Sequence, residues 1–124
     1  METKEIQSFR DLIVWQKSMD LVVLVYELTE KYPKHEIYGL TSQTRRSAVS
    51  IPSNISEGKL RGSRKDFRQF LIVAFASGAE LDTQLEIGMR LNYLNQSEYR
   101  SAKDLLDEVT KMLNKFIHSL EVLP

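Results

Sequence analysis

The chain has 124 residues, with 17 Lys and Arg balancing 17 Asp and Glu, and no cysteine. That length fits one domain with one real core. A zero net charge excludes a globally basic nucleic-acid binder and eases self-association, and the lack of cysteine excludes disulfides and thiolate metal sites and fits a reducing cytoplasm.

Residues 1–7 are polar and mixed in charge and read as a frayed tail, with no apolar segment of signal-peptide type in METKEIQSF. Ser8 with Asp11 forms an S-x-x-D capping box, so a first helix is expected from about Phe9 to just before Pro33. It carries two apolar seams. Leu12, Trp15, Met19, Val22 and Tyr26 form one, and Val14, Leu21, Val25 and Leu28 form another, well around the helix. A single core needs one stripe, so two seams suggest two burials. The second seam is assigned to an interface with other copies of the chain. The alternative is a helix sunk deep in its own bundle. The most apolar run, Leu21 to Tyr26, falls well short of the ~20 residues a membrane span needs, so a cytoplasmic protein with no membrane partner is expected.

Lys31 to Tyr38 reads as a linker in which His35 is a solvated loop residue. The second helix is expected from about Glu36 to Lys59, with Ile37, Leu40, Thr44, Ala48, Ile51 and Ile55 toward the core. Beside that side runs a polar stripe of Gln43, Arg46, Ser50, Asn54 and Glu57. Pro52 lies inside the run, but the stripe keeps its phase across it, so one helix kinked at Pro52 is expected rather than two short ones. Gly58 and Gly62 bracket a turn, and Ser63 with Asp66 starts a third helix near Arg64. The core seam of that helix is Phe67, Leu71, Ala74, Gly78, Leu81, Leu85 and Met89, and Ala74, Ser77 and Gly78 allow a close neighbour. Val73, Glu80, Gln84, Ile87 and Leu91 flank it. After a break at Asn92–Asn95, Asn95 with Glu98 caps a fourth helix from about Gln96 to Glu121, with Ala102, Leu106, Val109, Leu113, Phe116 and Leu120 inward and His118 outward. Short connections make neighbours antiparallel, which predicts an all-α, up-down-up-down four-helix bundle.

Catalytic and metal chemistry find little support. Neither histidine follows a Glu by three residues, as bundle metal sites require. The Gly58-Lys59 pair fails the phosphate-loop pattern, because Ser53 stands for its first glycine and Leu60 follows the lysine. Serine nucleophiles lack a nearby base. No enzyme, metal or cofactor is therefore expected. The polar stripe of Gln43, Arg46, Ser50, Asn54 and Glu57, with Glu80 from the third helix, reads as a structural network in which Arg46 pairs with Glu80 or Glu57. A binding cleft is the competing reading. Arg45, Lys59, Arg61, Arg64, Lys65 and Arg68 form a basic patch around the turn between the second and third helices, suited to RNA or DNA phosphates if it is more than a solvated face.

The segments FRDLIVWQK at Phe9 to Lys17, YGLTSQTRRSAVSIPSNISEG at Tyr38 to Gly58, and the FxxFLxxAxxSxxELxTQL pattern at Phe67 to Leu85 closely resemble the four-helix bundle proteins encoded in intervening sequences of bacterial 23S ribosomal RNA genes, often labelled S23 ribosomal proteins. The fold also resembles the accessory proteins of diversity-generating retroelements, which are clearly basic where this chain is neutral. The resemblance implies a homopentameric ring with a central channel and a nucleic-acid role. Residue by residue, the polar motif of the family falls on Arg46, Ser50, Asn54, Glu57 and Glu80. A scaffold ring that docks a partner protein, without nucleic-acid binding, is the alternative.

Overall fold

The computed structural model describes residues 8–121. The expected tail at residues 1–7 lies outside them. Four helices carry the chain: α1 (Ile13–Thr29), α2 (Leu40–Leu60), α3 (Arg64–Arg90) and α4 (Gln96–Ser119). Each lies beside its neighbours in sequence, α1 closes the ring against α4, and the backbones of the diagonal pairs stay apart. This is an antiparallel up-down-up-down four-helix bundle.

The start of α1 differs from expectation. The Ser8–Asp11 box forms in full, but it caps a single 3-10 turn over Phe9–Asp11. Leu12 is extended, with φ −75° and ψ 124°, and the α-helix begins one residue later. The α2 start also shifts. Glu36 lies in a 3-10 turn, and its Oε1 accepts the Leu40 N–H at 3.1 Å while its Oε2 accepts the Tyr93 hydroxyl at 2.9 Å. The carboxylate thus caps α2 from outside the helix and ties it to the turn after α3. These two hydrogen bonds, the Leu40 N–H first, hold the Glu36 carboxyl below its ordinary range. Ile37, placed toward the core by periodicity, stands outside α2 and is exposed.

The interface assignment on α1 is overturned. Val14, Leu21, Val25 and Leu28 are buried within this single chain and belong to its own core. The other seam turns outward in part: Leu12 is buried and Trp15 and Val22 half-buried, but Met19 and Tyr26 are exposed. Val23, at 56% exposure, joins them on the solvent side. Periodicity marked two faces and could not say which of them met α2 and α4.

Helix α2 runs unbroken through Pro52, which is buried. Its proline ring removes one backbone donor, and the packing around it keeps the helix going. The α3 and α4 seams fall where expected, except that Gly88 rather than Met89 ends the inner face of α3 and Ile117 rather than Phe116 completes that of α4. Lys103 on α4 lies 2.9 Å from Asp82 of α3 and 2.8 Å from Asp107, and the hydrogen bonds to Asp107 and Asp82 push its pKa up.

Gly58 was expected to bracket the turn together with Gly62, and that reading is corrected. It is a buried residue inside α2, and the turn belongs to Gly62, whose φ is +84°. A methyl group on Gly58 would meet Phe70 Cβ at 2.6 Å and Phe67 Cδ1 at 3.1 Å. Gly58→Ala should therefore lower stability by about 1–3 kcal/mol, because overpacking outweighs the gain in helix propensity. Thermal unfolding followed by circular dichroism checks this, with a fall in Tm expected.

Candidate nucleic-acid interface and adjoining cleft

Two exposed features follow from the way α2 meets α3. The first is the basic end. A three-residue turn, Arg61–Ser63, brings the end of α2 and the start of α3 together. Ser63 Oγ accepts the Asp66 N–H at 3.1 Å and starts α3. Lys59 lies over the Phe67 ring at 5.7 Å, and Arg61 over the Phe70 ring at 5.1 Å. Arg61 also pairs with Glu57 at 2.8 Å. Arg64 Nη2 donates to Ser119 O at 2.6 Å, and Arg68 Nε donates to Ile117 O at 3.1 Å. Both arginines thus meet carbonyls of the last turn of α4, where the helix dipole favours a cation. Lys65 is exposed and makes no contact of this kind with any described residue.

Five of the six predicted basic residues, Lys59, Arg61, Arg64, Lys65 and Arg68, therefore share one end of the bundle. Arg45 does not. It sits near the other end of α2, where its Nε donates to Thr29 Oγ1 at 2.8 Å, its Nη2 lies 3.3 Å from Glu30, and its guanidinium covers the Tyr26 ring at 4.6 Å. Its place in the patch is corrected: it belongs to the same run of basic residues in the sequence, and the length of α2 carries it away from the turn. The role of the α4 carbonyls was missed. The antiparallel topology alone places the end of α4 beside the start of α3, and that signal was available.

The second feature is a cleft of about 240 Å³ between α2 and α3, lined by Gln43, Arg46, Ser47, Ser50, Ser77, Glu80 and Gln84. The Ser50 and Ser77 hydroxyls bridge the helices at 2.8 Å. Asn54 donates to Ser50 within its own helix, to the carbonyl at 2.8 Å and to Oγ at 3.0 Å. The expected ion pairs do not form: Glu57 is taken by Arg61, and among the described residues Arg46 pairs with neither Glu80 nor Glu57. Arg46 and Glu80 are both exposed, so water solvates each charge and nothing forces them together. Ser77, which size alone marked as a spacer, is the residue that joins the stripe to α3.

Residues 10–115 match the family described as 23S rRNA-intervening sequence protein. The chain belongs to that family. A crystal structure of a protein of unknown function from the S23 ribosomal protein family of Bacteroides thetaiotaomicron is similar, with 28% sequence identity and a TM-score of 0.76 over 85% of this chain and 98% of that one. No curated protein matches the chain. The family's description names no catalytic activity, and among the described residues no cluster of His, Cys, Asp or Glu could hold a metal ion. No helix among them is long and apolar enough to cross a membrane.

The geometry divides the basic residues of this family member into anchored and free charges. Arg68→Ala should cost about 1 kcal/mol, since a charged donor leaves helix-end carbonyls. Lys65→Ala should stay within about 0.5 kcal/mol of the parent. Chemical denaturation of both variants distinguishes the two.

Proposed function

We propose that the protein is a non-enzymatic, homo-oligomeric, cytoplasmic bundle that binds RNA or DNA through the end formed by Lys59, Arg61, Arg64, Lys65 and Arg68. The observation that carries this reading is the concentration of five cations at one end of a chain whose total charge is zero, against Glu57 and Asp66. The carbonyl partners of Arg64 and Arg68 orient those side chains without cancelling their full charges. Phosphates bound there release counterions, which gives affinity without sequence preference. The family's description as an rRNA-intervening sequence protein is in keeping with a nucleic-acid partner.

Self-association is supported by the outward side of α1, where Met19, Val23 and Tyr26 repeat at helical spacing and are all exposed. A ring of copies, a pentamer by the family resemblance, would repeat the basic end and raise avidity for a long strand. The same apolar stripe favours a second reading, a scaffold ring that docks a partner protein and binds no nucleic acid.

Two experiments decide. Replacing Lys59, Arg61 and Lys65 by Gln leaves the α4 anchors in place. It should flatten the log–log salt dependence of single-stranded RNA binding by about 2, at roughly 0.7 per phosphate contact. An unchanged slope overturns the patch, and no binding by the parent favours the scaffold. Met19→Glu with Val23→Glu should convert the assembly to folded monomers in light scattering. A parent that stays monomeric at high concentration removes the ring.

A further inference from the structure

The exposed large apolar side chains of the bundle are not spread evenly. They belong to α1, α2, α3 and the short connections, and none belongs to α4. The outer side of α4 instead carries Asp104, Glu108, Lys111 and Lys115, all exposed. Water is therefore the natural neighbour of α4, whereas two partly apolar surfaces flank α2.

The first is the α1–α2 side, where Met19 is 38%, Tyr26 42% and Val49 39% exposed. Two hollows of about 490 Å³ and 320 Å³ share this side, and Val49 lines both. The charges lining the larger are Arg45 and Arg46. Glu30 holds Arg45, while Arg46 has no ion-pair partner among the described residues. The second surface is on α3. Val73 and Ile87 stand two heptad-like steps apart with Glu80 midway, so the three form one line along the helix. Glu80 lines the cleft toward α2, whereas Asp82 turns the other way to Lys103 of α4, so the line stands on the α2 side of α3. Val73 and Ile87 are both 41% exposed. From Gln69 to Leu85 the sequence carries no charge but Glu80 and Asp82. Each surface thus presents one unpaired charge amid exposed apolar groups, and the two charges have opposite sign.

We propose that the α1–α2 side of one copy receives the Val73–Glu80–Ile87 line of the next, with Glu80 of the second copy paired to Arg46 of the first. The inference rests on the self-association proposed above and names its two surfaces. Those surfaces differ, so the contact is head to tail and repeats from copy to copy. They lie on adjacent sides of the bundle and meet at α2. Successive copies therefore turn about an axis on the α2 side, and α4, diagonal to α2, faces outward. The polar stripe of α2 lines the inside of such a ring, and the charged side of α4 its outside. A two-fold pairing of the α1–α2 side with itself would cover Arg46 without Glu80, and a covered charge left unpaired is costly.

Light scattering on charge-reversed variants is the test. Arg46→Glu sets two carboxylates together and Glu80→Arg two guanidinium groups. Each variant alone should assemble about tenfold or more weakly than the parent. Both residues are exposed, so circular dichroism should remain that of the folded bundle. Mixed in equal amounts, the two variants should reassemble, because every contact again joins opposite charges. Strict alternation allows open chains or rings with an even number of copies, so a five-membered ring should not return. The chain has no cysteine, so a nitroxide can be attached at Ala76→Cys alone, one turn from Glu80. Carried by the Glu80→Arg chain, it should broaden the Val49 amide resonance of an isotope-labelled Arg46→Glu chain in the mixture. The proposal is overturned if either variant assembles like the parent, if the mixture stays monomeric, or if Val49 is not broadened. In those cases a parent that still assembles leaves self-association standing. A parent that forms only dimers overturns the head-to-tail contact, and a parent that stays monomeric removes the self-association reading as well.

Discussion

Gly58 has no side chain, and for that reason Phe67 and Phe70 of α3 can lie against the last turns of α2. This close approach sets the register of the two helices, because the three-residue turn that follows gives them little freedom to slide. The same antiparallel register brings Ser50 opposite Ser77, whose hydroxyls meet at 2.8 Å. It also fixes where α3 begins, and hence where Arg64 and Arg68 stand relative to the end of α4. A hairpin held apart at Gly58 would lose the serine bridge and the arginine anchors together.

The charges at that end have two tasks. Arg64 and Arg68 complete the C-terminus of α4, while Arg61 lies along Phe70 and pairs with Glu57. These contacts hold long side chains in place at little cost in net charge, since a carbonyl removes none of it and a single glutamate removes one unit. A basic surface ordered beforehand loses less rotamer entropy on meeting a phosphate. Composition could not reveal this, because the compensating acids lie elsewhere in a chain whose total is zero.

The bundle was legible because α3 and α4 have clean seams, true capping residues and short connections. Helix α1 was harder. Its two seams were found, but the inward one was assigned to the oligomer, because the periodicity of an isolated helix carries no direction. Only packing shows that Val14, Leu21, Val25 and Leu28 face the core. Arg45 was misplaced because one run of basic residues in the sequence spans most of α2, and Thr29 and Glu30 hold it toward the far end. The stripe on α2 was seen, but the absence of an Arg46–Glu80 pair depends on side-chain solvation, which spacing does not encode.

The diagonal arrangement of the bundle puts the two exposed faces on different sides. The α1 backbone lies beside α2 and α4 and away from α3, so the outward apolar stripe of α1 and the α3 wall of the cleft lie on different sides. An assembly built through α1 would cover Met19 and Val23 against the α3 wall of a neighbouring copy. It would also keep the basic ends accessible, because they cap the bundle rather than line its side. Burying unpaired polar groups costs stability. Among the described residues two buried side-chain oxygens lack a partner, the Tyr32 hydroxyl and Gln84 Oε1, and of these two residues Gln84 lines the α2–α3 cleft.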